Sequence, residues 1–126
     1  MARKILVVED NEDNRALVVK VLRRGGFEVL EATSGEEALA LAVQNVPDLV
    51  LMDVDLSGMS GLEATRRMKA DVRLRGVPVV ALTAYAMVGD REKALEAGCD
   101  GYLSKPVDVR RLPEQVSAYL GGENRE

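Results

Sequence analysis

Four places in the chain carry side chains that could do chemistry: the pair Glu9-Asp10, then Asp53, then Thr83, and last the tripeptide Ser104-Lys105-Pro106. Each follows directly on a run of apolar residues, respectively Ile5-Leu6-Val7-Val8, Leu49-Val50-Leu51-Met52, Val77 to Leu82, and Gly101-Tyr102-Leu103. Brought to one rim, they would supply three carboxylates, a hydroxyl and an amine. Crowded carboxylates repel one another, and at least one pKa rises unless a cation intervenes. Magnesium is the natural cation. It is hard, takes oxygen ligands, and keeps waters beside one or two carboxylates and a phosphate. No soft ligand set favours a transition metal. A carboxylate can also attack phosphorus and form an aspartyl phosphate. Phosphoryl transfer needs positive charge on the equatorial oxygens, which Mg²⁺ and a lysine supply. A threonine hydroxyl can donate to the product phosphate. Taken singly, each residue has a plainer reading: an acid after a strand caps the next helix, and a lysine is a solvated charge. The phosphoryl reading rests on four strands ending in compatible chemistry.

The rest of the composition narrows the chemistry. There is no histidine among the 126 residues, which excludes Ser-His-Asp and Cys-His catalysis and histidine-based zinc or iron sites. Cys99 is the single cysteine, so no internal disulfide forms, and the chain fits a reducing, cytoplasmic compartment. A net charge of −4 argues against non-specific binding to nucleic acid. Apolar runs reach only about six residues, too short for a transmembrane helix, and no apolar signal core opens the chain. Hydrophobic residues at 47% and charged residues at 30% are an ordinary globular balance for one domain.

Positioning the four chemical sites requires a particular set of elements. Continuous apolar runs suit strands buried on both faces of a parallel sheet. A further segment, Phe27 to Ala32, is interrupted by Glu28 and Glu31 and reads as an edge strand. Between the strands lie helical patterns. Leu17, Val18, Val21 and Leu22 form one apolar face that Gly25-Gly26 stops. Ser34 and Glu37 form a capping box ahead of Ala38, Leu41 and Ala42. Leu62, Thr65 and Met68 mark a third helix, and Asp90 caps a fourth that runs through Ala97 to Gly98. Leu112, Val116, Tyr119 and Leu120 mark the last. Strand and helix alternate five times. Right-handed crossovers then give a doubly wound α/β fold, a mostly parallel sheet with helices on both faces. Ligands of such folds bind at the carboxyl ends of the strands, where these residues stand. Residues 121–126 read as a frayed end.

The chain resembles the receiver domain of two-component response regulators, from about Lys4 to Leu120. The likeness rests on Ile5 to Asn11, Leu51-Met52-Asp53 with Gly61 eight residues on, Leu82-Thr83-Ala84, and Leu103-Ser104-Lys105-Pro106. The resemblance implies the flavodoxin-like strand order 2-1-3-4-5. It implies that Asp53 accepts a phosphoryl group from a histidine kinase or a histidine phosphotransfer protein. Asp10 and Asp53 would ligate Mg²⁺ directly, Glu9 through water, and Asp55 through its main-chain carbonyl. Lys105 would pair with Asp53, Thr83 would swing toward the phosphate, and Tyr102 would be an aromatic switch. Pro106 would follow a cis peptide bond. The signal would leave through a downstream protein on the face of the fourth helix, fifth strand and fifth helix, with no direct nucleic-acid or membrane contact. The length predicts a free-standing single domain, 1–126, acting as a monomer or weak dimer, and not an enzyme beyond slow self-phosphorylation and autodephosphorylation.

One departure from the family pattern is Ser57, where many receivers have proline four residues after the phosphoacceptor. Its absence predicts a looser loop. Asp55 and Tyr85 stand two residues beyond Asp53 and Thr83, positions that tune phosphoryl lifetime in the family. Two readings compete. Asp53-Val54-Asp55 is similar to the Asp-x-Asp signature of haloacid-dehalogenase-like phosphatases, with Mg²⁺ and Asp55 as general acid. A constitutive protein-binding module with a vestigial site is the other.

Overall fold

The computed structural model describes residues 2–84 and 88–120. Ten elements alternate: β1 (Lys4–Val8), α1 (Glu12–Arg24), β2 (Glu28–Ala32), α2 (Gly35–Gln44), β3 (Leu49–Asp53), α3 (Gly61–Ala70), β4 (Val79–Thr83), α4 (Val88–Glu96), β5 (Gly101–Ser104) and α5 (Leu112–Leu120). All strand pairs are parallel, in the order β2-β1-β3-β4-β5. The expected fold class and strand order are both observed.

Side chains alternate across the sheet and divide the core in two. Leu6, Val8, Val50, Met52, Val79 and Ala81 face α2, α3 and α4, meeting Ala38, Ala42, Ala64, Met68 and Ala94. Ile5, Val7, Leu49, Leu51, Val80 and Leu82 face α1 and α5, meeting Val18, Val19, Leu22, Leu112 and Val116. Both faces of β1, β3 and β4 are therefore buried, which is why those strands read as unbroken apolar runs.

The helix ends follow local chemistry. Asn11, Ser34 and Ser60 cap α1, α2 and α3, each accepting a backbone N–H three residues on. Glu37 reaches back to the N–H and hydroxyl of Thr33, one residue before the cap, so the expected box closes one position early. After α1 the chain reverses at Gly26, where φ is +93°. Gly26 N–H donates to Arg23 and Phe27 N–H to Leu22, a Schellman closure that favours glycine.

Four details differ from the sequence reading. In α1 Leu17 is exposed and Val19 is buried, because the helix presents 18, 19 and 22 to the sheet. β4 begins at Val79 rather than Val77, since Pro78 has no N–H to donate to a ladder. α4 begins at Val88, two residues before Asp90, and ends at Glu96. The loop after β3 is not loose: both donors of Ser57 are engaged, as described below. Tyr85 and the segment 121–126 lie outside the described residues. Among the described residues no helix is long and apolar enough to cross a membrane.

Gly61 is the tightest point between the core and the rim. A Cβ there would lie 2.1 Å from the Asp53 carbonyl oxygen. Gly61→Ala is expected to destabilise the chain by about 3 kcal/mol, by forcing β3 and α3 apart. The midpoint of chemical denaturation reads this directly, and an unchanged midpoint would refute the close approach.

Candidate functional site

The strand register assembles the site. Val8 pairs with Met52, so Glu9 and Asp53 are the next residues on adjacent strands. Thr83 pairs with Ser104, and the Lys105 N–H continues the ladder to the Thr83 carbonyl at 2.8 Å. Four chain segments far apart in sequence thus end at one rim. Oxygen atoms of Glu9, Asp10 and Asp53 lie within 4.8 Å of one another.

Burial makes this cluster unusual. Asp53 is 1% exposed and Glu9 is 3% exposed, whereas Asp10 is exposed. Lys105 answers the buried charge. Its Nζ lies 2.9 Å from Asp53 Oδ1 and 3.5 Å from Glu9 Oε1. The peptide bond Lys105–Pro106 is cis, as the resemblance implies. Asp53 Oδ1 also accepts the Asp55 N–H at 2.9 Å, while the Asp55 side chain is exposed. Glu9 is held at both ends. Its Oε2 accepts the Asn11 N–H at 3.1 Å, and its carbonyl accepts Arg15 Nη1 at 3.0 Å. Arg15 is itself fixed by Glu31 at 3.1 Å.

The electrostatics follow from these contacts. Burial, and then hydrogen bonding with Asp53, pushes Glu9 up to about 7. Asn11 and Lys105 pull it the other way without prevailing. Burial opposes the Lys105 charge, yet pairing with Asp53 and Glu9 outweighs it and raises the ammonium pKa. Asp10 is lowered, chiefly by the Ser57 N–H. Ser57 donates from both its N–H and its Oγ to Asp10 Oδ2, each at 3.0 Å.

Thr83 and Tyr102 stand on the other side of Asp53. With Val54, Asp55, Leu62 and Arg91 they line a cavity of about 190 Å³. Thr83 is buried and Tyr102 half-buried. Arg91 clamps the Tyr102 ring. Its Nε and Nη2 both donate to the phenol oxygen, the Nε at 2.8 Å, and its guanidinium carbon lies 4.9 Å from the ring centre.

The structure therefore brings together Glu9, Asp10, Asp53 and Lys105, and puts Thr83, Tyr102 and the Asp55 main chain beside them. Two contributors are absent from the sequence reading, Arg15 and Arg91, and Ser57 figures there only as the place of a missing proline. Arg15 carried a signal, since it lies four residues after the cap Asn11 and so on the same helix face. The contacts of Ser57 and Arg91 are tertiary and leave no local trace.

Comparison with known proteins agrees with this geometry. The profile of the "Response regulator receiver domain" matches residues 5–117. The polar-differentiation response regulator DivK of Brucella ovis is 46% identical over 121 residues, covering 96% of this chain and 98% of that protein. The receiver domain of a sensor histidine kinase from Pseudomonas aeruginosa, solved with magnesium in its active-site cleft, superposes with a TM-score of 0.88 at 37% identity. That match covers 96% of this chain and 99% of the other. The chemotaxis response regulator CheY4 of Vibrio cholerae gives a TM-score of 0.90 at 27% identity, covering 94% of this chain and 99% of the other. The phosphatase and vestigial-module readings are not favoured.

The raised Glu9 pKa makes a stability prediction. In metal-free buffer its contribution is full below about pH 4.5, where both folded and unfolded forms are protonated, and is lost as pH rises through about 7. The unfolding free energy of wild type relative to Glu9→Gln should fall by on the order of 1 kcal/mol or more between about pH 5 and pH 8. A flat difference in parallel denaturation curves would contradict the burial of Glu9 against Asp53.

Proposed function

The chain belongs to the response regulator receiver family, and from that premise we propose that Asp53 is its phosphoacceptor and the centre of a protein-binding switch. The observation that carries this reading is the buried Asp53 carboxylate paired at 2.9 Å with Lys105, with Glu9 and Asp10 alongside. The donor would be a phosphohistidine on a histidine kinase or a histidine phosphotransfer protein, since this chain has no histidine of its own.

In the step itself, an Asp53 oxygen attacks phosphorus. An O–P bond forms and the N–P bond of the donor breaks, with the imidazole keeping the electron pair and taking a proton from solvent. Lys105 neutralises charge at the equatorial oxygens. The Asp55 N–H orients the carboxylate through Oδ1. The donor set fits Mg²⁺: it is all oxygen, carries more negative charge than Lys105 offsets, and has no soft ligand. Asp10, Asp53 and the Asp55 carbonyl would hold the ion, with Glu9 acting through water. When bound it would supply Lewis-acid stabilisation of the transferring group.

The readout would run through Thr83 and Tyr102. The phosphoryl group draws the Thr83 hydroxyl, and Tyr102 takes up the cavity they share. The surface of α4, β5 and α5 then changes its affinity for a downstream protein. Moving such an equilibrium from mostly off to mostly on needs about 5.5 kcal/mol. Three charge-assisted contacts at roughly 1.5–3 kcal/mol each cover this before rearrangement costs. The protein would work as a single receiver domain with core 4–120, as a monomer or weak dimer in the cytoplasm. It would show at most slow self-phosphorylation and autodephosphorylation.

The test is labelling with acetyl phosphate and Mg²⁺. Wild type should take up about one hydroxylamine-sensitive acyl phosphate per chain, and Asp53→Asn none. Lys105→Ala should retain binding of the donor but lose at least about tenfold in labelling rate. Stoichiometric label on Asp53→Asn would sink the assignment.

A further inference from the structure

We propose that Ser57 is a positioning residue for the cation site, holding Asp10 in place from the opposite loop. The proposal rests on the reading that the site takes Mg²⁺. Asp10 follows β1, while Asp53, Asp55 and Ser57 follow or close β3. The two bonds from Ser57 span 47 residues of sequence and tie the loop after β3 to the loop after β1, beside which the ligands stand.

The chemistry of the contact is specific. Ser57 N–H and Oγ both donate to one oxygen, Asp10 Oδ2, each at 3.0 Å. Two donors on one oxygen set the plane of the carboxylate and leave ligation to the other. A small hard cation takes a carboxylate through one oxygen, so this division of work suits Mg²⁺. Without the contact, Asp10 is an exposed side chain with several rotamers, and ordering it would fall to the ion. Hydrogen-bond partners of ligating carboxylates have measured effects of this kind, on the order of tenfold or more in metal affinity.

The loop is built to offer these donors. Leu56 is buried and anchors the turn, and Gly58 follows with φ +74°. Ser57 is thereby presented to Asp10 between a fixed residue and a reversal. Proline at 57 would remove both donors, since it has neither N–H nor hydroxyl. Alanine would remove only the hydroxyl. Threonine would keep both.

Magnesium titration of the full chain, followed by amide NMR at constant ionic strength, tests the proposal. Ser57→Thr should bind within about twofold of wild type, Ser57→Ala about threefold more weakly, and Ser57→Pro about tenfold more weakly. The metal-free unfolding midpoint of each variant is measured alongside, and lost affinity at an unchanged midpoint supports positioning. If Ser57→Pro does not fold, Ser57→Ala against Ser57→Thr carries the comparison. A metal-independent readout is hydrogen exchange: the Ser57 amide should be protected in wild type and lose protection in Asp10→Ala. Equal or tighter binding by Ser57→Ala and Ser57→Pro would overturn the proposal while leaving the metal site standing. No saturable response in wild type would overturn both.

Discussion

The structure turns on one ion pair, Lys105 with Asp53, set among two other acids. Asp53 and Glu9 are nearly without solvent, and a single ammonium serves both. Removing one partner of a buried pair typically costs about 3–5 kcal/mol, because the other charge is left uncompensated. Here losing Lys105 is worse than in an isolated pair, since one cation faces two carboxylates and a third lies nearby, whereas losing an acid relieves repulsion. Burial, and then the hydrogen bond with Asp53, raises the Glu9 pKa despite Lys105. A group able to bring positive charge, or a phosphoryl group that recruits it, acts on a site already out of balance.

The sheet sustains this imbalance. Parallel register commits Glu9 and Asp53 to adjacent positions, and Gly61 lets α3 press against the Asp53 carbonyl. The cost of crowding is met by the two apolar cores on either side of the sheet. Secondary contacts then fix each acid separately: Arg15 and Asn11 hold Glu9, the Asp55 N–H holds Asp53, and Ser57 holds Asp10. On the far side, Arg91 clamps Tyr102 over the cavity beside Thr83. Events at the carboxylates and the pose of the tyrosine are therefore neighbours in space, which is what a phosphorylation-biased switch needs.

The strands and the polar residues that end them were legible because their signals are local, whereas the strand order came only with the family resemblance. Double burial writes itself as Ile5 to Val8, Leu49 to Met52 and Val79 to Leu82, and each run leads directly into a polar residue of the rim, Glu9, Asp53 or Thr83. Ser34 was legible as a cap because it acts by side-chain chemistry within three residues, and the structure adds Asn11 and Ser60 of the same kind. What stayed hidden was tertiary. The choice between Leu17 and Val19 depends on the angle at which α1 meets the sheet. The donors of Ser57 have meaning only once the loop after β3 folds over β1, so the missing proline reads as slack when the loop is in fact tied.

The central claim is that the rim is short of positive charge around Asp53. The most direct measurement is the unfolding midpoint of the full chain at about pH 7.5, with saturating MgCl₂ and with NaCl at matched ionic strength. A ligand that binds only the native state must stabilise it. The account predicts a rise with Mg²⁺ beyond the NaCl control, largely lost in Asp53→Asn. No ion-specific rise, or an equal rise in Asp53→Asn, would contradict it.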